Sequence, residues 1–394
     1  MIYLDVTSAC QSVLNTGVRR MQRGLHEWLH SREDYQPVYW QSIRGSYRRL
    51  VSEDFRILER TWQKTPGGWS LYDSFLPWNL QDLKNKKRDS FLSMEWPVSL
   101  KNEDIVLVPD LLWDSRSFFF TKWGKHSSRK VGIFHDAIGL RRPEQSRIDA
   151  YLCSRGVRAL ADFDLVICIS KEAEADLIYF WKKFGLAGTK THVAPWPVPF
   201  TNQRPEHKPH FSAASLLYVA RLEKHKNHLL LLDVCERLWK QGRKFDLRLI
   251  GCNAYPYYSW RVQRRVKVLR RQGYNVRLQP HISEDELHEA YRKSSFTVFP
   301  SLLEGFGLPI IESLWHGRPV VCGNKGALGE VAAGGGCKTV NPEDSNDLSR
   351  AIVCLLSDEQ QYNTLYRNIQ QRPMRSWSEY WTDVNAAINE IRKN

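Results

Sequence analysis

The sequence predicts an α/β protein built as two doubly wound domains, and three observations carry that prediction. Short apolar runs with strand character alternate with stretches of 3.6-residue periodicity almost from end to end, the pattern of parallel sheets joined by crossover helices. A break in composition, APWPVPFTNQRPEHKPHFSAAS at 194–215, places five prolines between two such halves and reads as a linker. At 394 residues, with 42% hydrophobic and 25% charged side chains, the chain is long enough for each half to bury a core. The expected organisation is a first domain over 1–197, a second over 198–375 and a terminal helix over 376–394.

The first strand, IYLDV (2–6), leads through a loop to Asn15-Thr16-Gly17-Val18. Gly17 opens a helix with an apolar stripe of Val18, Met21, Leu25 and Trp28/Leu29, which also carries Arg19, Arg20 and Arg23. Residues 31–100, rich in Trp, Arg and Ser, break the alternation and read as an insertion. Strands DIVLVP (104–109), KVGIF (130–134) and DLVICIS (164–170) complete the first half. The second half repeats the pattern with SLLYVA (215–220), DLRLIG (246–251), NVRLQP (275–280), FTVFP (296–300) and PVVCG (319–323). The final stretch, SWSEYWTDVNAAINEIRKN, has the spacing of an amphipathic helix and is expected to pack back on the first domain.

Composition excludes several classes. MIYLDVTSAC lacks the basic and apolar regions of a leader, and no window approaches the ~18 apolar residues of a membrane span, so a cytoplasmic, unprocessed chain is expected. The eight cysteines contain no C-x-x-C pair and several sit in apolar runs, so reduced buried thiols are expected rather than zinc or disulfides. A net charge of +14 attracts nucleic acid, anionic lipid or phosphorylated ligands. Its clusters are Arg19/Arg20/Arg23, Arg44/Arg48/Arg49, Lys84/Lys86/Lys87/Arg88, Lys122/Lys125/Arg129/Lys130 and Arg261 through Arg271. Any one such run is more often a solvated face than a site. They are interleaved with Trp123 and Trp260, the Phe118-Phe119-Phe120 triplet lies beside the fourth, and four clusters in the first third of the chain tilt the reading toward a surface that meets anionic lipid. No zinc spacing, RNP-type motif or basic heptad helix supports a nucleic-acid partner.

In open parallel sheets, ligands sit beyond the carboxyl ends of the strands. After FTVFP comes SLLEGFGLPIIESL, where Pro309 suits the first turn of a helix and leaves the amides of Ile310, Ile311 and their neighbours to seat an anion. Glu304 is expected in the loop and Glu312 in the first turn, where it would either complement the helix dipole or face a ligand. Gly305 and Gly307 would let backbone approach that ligand. After SLLYVA, Arg221 and Lys226 can grip a diphosphate before a helix that Asn227 can cap. After KVGIF stands His135-Asp136, a structural histidine or a reacting one. Gly17 opens a second phosphate seat. The only Asp-x-Asp, Asp162-Phe163-Asp164, reads as the start of a strand and not as a metal site.

Together these segments resemble a known family. FPSLLEGFGLPIIESLWHGRPVV is similar to the Glu-x7-Glu signature of retaining, GT-B-fold glycosyltransferases of family 4. YVARLEKHKNHLLLL resembles that family's Arg-x4-Lys loop, and CGNKGALGEVAAGGG, NPEDSNDLSRAI, FHDAIGLRRPE and CISKEAEADL resemble further segments, the last two especially in members with mannose-type donors. RSWSEYW resembles the start of the helix that crosses back to the first domain. The match is strong from 130 to 394, fair for 1–30 and absent for roughly 31–100.

The resemblance implies a nucleotide-diphosphate sugar clamped by Arg221 and Lys226, its ribose on Glu312 and its sugar on Glu304. Phe306, Gly307 and Leu308 would line the sugar and phosphate, Ile282 would join the donor site, and Gly17 would meet the distal phosphate. His135 would sit by the reacting sugar, with Asp136 orienting the acceptor. The sequence departs from the family's pattern at Asn15, at His281 and in the linker. The expected reaction is metal- and cofactor-independent transfer of a hexose with retention, GDP-mannose favoured over UDP-sugars or GDP-fucose. The acceptor would be a saccharide or lipid-linked saccharide in surface polysaccharide synthesis, contacted by the first domain and its insertion. An epimerase or hydrolase using the same nucleotide seat is the rival chemistry.

Overall fold

The computed structural model describes residues 1–11, 16–30, 34–41, 46–50, 58, 98, 100–110, 112–122, 128–200, 204–205, 211, 214–280 and 282–393. Asn15, His281 and the Lys84–Arg88 cluster lie outside the described residues. Two sheets form the frame. The first has the order β3-β2-β1-β4-β5-β6-β7, from β1 (Ile2–Asp5), β2 (Tyr35–Gln41), β3 (Ser46–Arg49), β4 (Ile105–Val108), β5 (Arg129–Phe134), β6 (Leu165–Cys168) and β7 (Thr191–Val193). Only the β2–β3 pair is antiparallel. The second has the order β10-β9-β8-β11-β12-β13, from β8 (Ser215–Val219), β9 (Asp246–Ile250), β10 (Val276–Gln279), β11 (Phe296–Phe299), β12 (Val320–Gly323) and β13 (Cys337–Val340), all parallel.

The apolar runs are buried on both faces because helices cover both sides of each sheet; β1, β4, β6, β11 and β12 are buried at every position. All nine strands read from the sequence are present. Four others are β2, β3, β7 and β13. The first two lie within 31–100, so its residues 35–41 and 46–49 belong to the sheet and are not an insertion. Pro37 inside YQPVYWQ argues against a strand, yet β2 pairs with β1 on one side and β3 on the other, with Val38 and Trp40 buried. β7 and β13 are short edge strands with half-exposed positions, too weakly patterned to read.

The strand order reverses between β1 and β4 in the first sheet and between β8 and β11 in the second, so a crevice opens at each switch point. At the first, Arg116 fills the crevice floor with charge. Its guanidinium bonds Asp5 at 2.6 Å, Asp110 at 2.5 Å and Asp114 at 2.9 and 3.0 Å, and Tyr47 donates to Asp5 at 2.7 Å. Burial opposes the charge, but the three carboxylates hold the guanidinium well above its ordinary pKa. The cluster ties the ends of β1, β3 and β4 together.

The helix Trp377–Arg392, capped by the Ser376–Glu379 box, packs on β5 and β6. Its Trp377 lies flat against Gly24, where any side chain would collide with the indole. Arg375 pairs with Asp383, which also holds His192 at 2.7 Å. Among the described residues no helix is long and apolar enough to cross a membrane, and all eight cysteines are free thiols.

Replacing Arg116 by Ala leaves Asp5 buried without its cation, and the expected loss is about 3–5 kcal/mol in urea unfolding. Tyr47→Phe, which removes one hydrogen bond to the same carboxylate, should cost about 0.5–1.5 kcal/mol.

Candidate active site

The carboxyl ends of β8 and β11 face those of β1 and β5 across the gap between the sheets. Past β8, Arg221 pairs with Glu223 at 3.0 Å and keeps its side chain 48% exposed. A short turn, Lys224–Lys226, then points the Lys226 ammonium at Glu304, 2.6 and 2.7 Å from its two carboxylate oxygens. Tyr218 fixes that turn by donating to the Lys226 carbonyl at 2.5 Å. Asn227 does not cap the following helix with its side chain as expected. It takes the left-handed conformation, φ 61°, and its amide donates to the Pro342 carbonyl at 2.8 Å.

The segment after β11 corrects three expectations. Glu312 is the fifth residue of the helix Leu308–Trp315, beyond the first turn, and is buried. Ile310 and Ile311 do not offer free amides, because both donate back to the Gly307 carbonyl, at 2.9 and 3.5 Å. The amides of Phe306, Gly307 and Leu308 make no hydrogen bond among the described residues. Gly305 serves an approach to protein rather than to ligand: a Cβ there would lie 2.1 Å from the His135 carbonyl oxygen. Gly307 is at φ 106°, a conformation only glycine takes without strain.

That close approach brings the two halves of the site together. Ser170, the cap of the helix Lys171–Lys183, donates to the Gly305 carbonyl at 2.7 Å. The free amides of Lys171 and Glu172 are taken by Glu330 of the second half, at 2.9 and 2.8 Å. His135 is buried, its Nε2 bonded to the Pro109 carbonyl at 3.2 Å, and its Nδ1 has no partner among the described residues. The ring stacks on Trp196 at 5.7 Å, which stacks in turn on Tyr380 of the terminal helix at 5.3 Å. Burial lowers the His135 pKa and keeps the ring neutral. Asp136 accepts from the Ile138 amide at 2.9 Å. Burial pushes its carboxyl up to about 6, with Glu304 and Glu223 adding to the rise and Lys226 opposing it.

Glu312 finds its partner in the first half of the chain. Arg20 bonds Glu312 Oε1 at 2.5 Å, and the buried Tyr291 hydroxyl donates to Oε2 at 2.9 Å. Arg20 also lies 3.4 Å from Glu284 and 5.4 Å from the centre of the Phe200 ring. Gly17, three residues earlier, abuts Leu308. Ile282 is half-buried at the edge of the small cluster of Leu217, Ile250, Ala290 and Tyr291, behind that pair.

The site therefore gathers Gly17, His135, Asp136, Arg221, Lys226, Glu304, Phe306, Gly307, Leu308 and Glu312 around one gap. Sequence reasoning missed Arg20 as the partner of Glu312, together with Tyr291, Ser170 and Trp196. Arg20 stood in a basic run, and nothing in its spacing points to a carboxylate 292 positions away.

Breaking the Arg20–Glu312 pair from one side should cost about 3–5 kcal/mol, and the double change Arg20→Met with Glu312→Leu clearly less than the sum; urea unfolding of the four-member cycle measures the coupling. For Asp136 the sign follows from a raised folded pKa. The unfolded carboxyl deprotonates near 3.8 while the folded one keeps its proton to about 6. Wild type should therefore lose stability relative to Asp136→Asn as pH rises from 4 to 6, by at most about 3 kcal/mol, in paired thermal scans.

Comparison with known proteins agrees with this arrangement. Residues 200–372 match the family described as Glycosyl transferases group 1. The chain is 27% identical over 271 residues to a serotype-specific mannosyltransferase WbdA of Escherichia coli, covering 60% of this chain and 31% of that protein. It is 31% identical over 174 residues to the O-antigen chain mannosyltransferase B of Escherichia coli, 43% of this chain and 44% of that one. The chain thus spans about a third to under half the length of these relatives. The crystal structure of Anabaena HepE, in complex with UDP and glucose, superposes with a TM-score of 0.67 at 15% identity over 99% of both chains. The chain thus has the GT-B fold, two switch-point crevices facing each other, and the stretch similar to glycosyl transferases group 1 spans both the Lys226 turn and the Glu304–Glu312 segment.

Proposed function

We propose that the protein is a retaining, metal-independent hexosyltransferase that moves a hexose from a nucleotide-diphosphate sugar, GDP-mannose in first place, to a saccharide or lipid-linked saccharide. The observation that carries the reading is the meeting of two strand-end clusters: Arg221 and Lys226 with Glu304 on one wall, His135 and Asp136 on the other, held in contact through Gly305. Mannose is favoured because both E. coli relatives are described as mannosyltransferases. A UDP-sugar is the second reading, supported by the UDP and glucose held in the HepE structure.

On this reading the donor diphosphate takes the place between Arg221, Lys226 and the open amides of Phe306, Gly307 and Leu308. Charge developing on the leaving diphosphate is stabilised by groups already in position, so little reorganisation is needed during transfer. Glu304 holds Lys226 in that position and faces the sugar, while Glu312, fixed by Arg20 and Tyr291, keeps lone pairs for the ribose hydroxyls. The neutral His135 lies beside the sugar. Asp136 orients the acceptor hydroxyl, and the leaving phosphate oxygen accepts its proton on the same face. The protein would act in the cytoplasm at the inner membrane face, in surface polysaccharide synthesis, with neither nucleic-acid partner nor bound cofactor.

A panel of GDP, UDP, dTDP, ADP and CMP and their common sugar conjugates, read by thermal stabilisation, tests the proposal. One diphosphate series should raise the midpoint, and Arg221→Ala or Lys226→Ala should weaken its affinity roughly 10- to 100-fold with the fold intact. Wild-type affinity in both variants would remove the site assignment.

A further inference from the structure

Two pairs of exposed large apolar side chains, one from each half of the chain, stand near a single hydrogen bond. The Tyr255 hydroxyl donates to Asp149 across the gap between the halves. Asp149 lies in the first turn of the helix Arg147–Leu160, next to Ile148 and two residues before Tyr151, which are 72% and 59% exposed. Tyr255 precedes the helix Pro256–Arg271, whose first turns carry Tyr257 and Trp260, 72% and 52% exposed and stacked at 6.3 Å. The bonded pair joins the starts of these two helices across the gap, and the four exposed side chains lie on those first turns. Large apolar side chains scattered singly are ordinary; a group of them marks a docking face.

Charge says what docks there. The helix Pro256–Arg271 contains six basic residues and no acidic one. Arg265 is held by Asp233 and Glu236. Arg261, Arg264, Lys267, Arg270 and Arg271 are exposed and have no carboxylate partner among the described residues. Trp260, Arg264, Lys267 and Arg271 form a stripe at helical spacing, opposite the buried Tyr258, Val262, Val266 and Leu269. Arg264 lies over the Trp260 ring at 5.4 Å, and on the other half Arg155 lies over Phe118 at 3.7 Å and near Tyr151 at 5.8 Å.

We propose that this face docks on the surface of an anionic lipid bilayer, with Ile148, Tyr151, Tyr257 and Trp260 at headgroup depth and the arginine–lysine stripe on the lipid phosphates. Ile148 favours lipid over nucleic acid, since an aliphatic side chain offers bases no stacking face. Resting on the transferase reading above, the inference adds that the acceptor is displayed at a lipid surface.

The full chain is sedimented with vesicles of phosphatidylglycerol in phosphatidylcholine, and with phosphatidylcholine alone, at low and high salt. It should pellet with the anionic vesicles at low salt only. Reversing Arg264, Lys267 and Arg271 to Glu should weaken vesicle affinity by more than roughly a hundredfold, at about fivefold per charge removed. Ile148→Ser with Trp260→Ser should weaken it about tenfold. Failure of wild type to pellet, equal pelleting of the charge-reversed variant, or displacement from vesicles by an oligonucleotide of equal total charge would each overturn the proposal. The nucleotide titration on the same variants should be unchanged. Failure of the docking surface and failure of the transferase reading are therefore separate results.

Discussion

A buried carboxylate on a helix of the second half is neutralised by a guanidinium on a helix of the first, and the geometry of the site depends on that exchange. Glu312 sits midway along an apolar helix, buried where an unpaired charge would be expensive. Arg20 supplies the partner from the first half of the chain, and Tyr291 takes the second oxygen. The carboxylate is thereby aimed, and the two sheets are set at a fixed distance. The same join is made without charge at Gly305, where the loop backbone presses on the His135 carbonyl with no room for a side chain. Glu330 on the amides of Lys171 and Glu172, and Asp149 with Tyr255, repeat it at two further places. Ion pairs and hydrogen bonds cross the gap where the site lies, whereas apolar packing dominates within each half.

This division has a chemical consequence. Contacts between packed apolar faces would have to be broken as surfaces, but polar contacts can be exchanged one for one with a ligand's own groups. Lys226 is held by Glu304 and Arg221 by Glu223, so each cation is compensated yet within reach of a phosphate. The pair at Asp136 and His135 is tuned in the opposite sense: burial keeps the imidazole neutral and lifts the carboxyl toward the working pH range. One wall of the gap thus carries compensated cations, and the other a neutral imidazole beside a carboxyl that titrates closer to neutral pH than usual.

The fold was largely legible because parallel sheets write their strands as continuous apolar runs. IYLDV, DLVICIS and FTVFP needed no context to be read. The failures were local and physical. Pro37 obscured β2, which lies between two neighbours, because proline lacks the donor a central strand needs. β7 and β13 are half exposed and carried too little apolar signal. Within the site, residue types past each strand end pointed to the right loops, but their orientation was not readable. Glu312 was expected at the helix start and turned out to face Arg20; Asn227 was expected to cap a helix and bonds Pro342 instead.

The sequence by itself determined two doubly wound halves, the strand ends at which polar residues gather, and a family resemblance resting on the 300–321 segment and the Arg221–Lys226 loop. These follow from short-range rules, the period of the apolar pattern and the backbone preferences of Gly and Pro, which act within one or two elements. Tertiary structure alone decided which group meets which: that Arg20 reaches Glu312, that Gly305 is reserved for the backbone of His135, and that Tyr255 meets Asp149. Those pairings link positions roughly a hundred to three hundred residues apart, and no local period encodes a contact between two separately folded sheets.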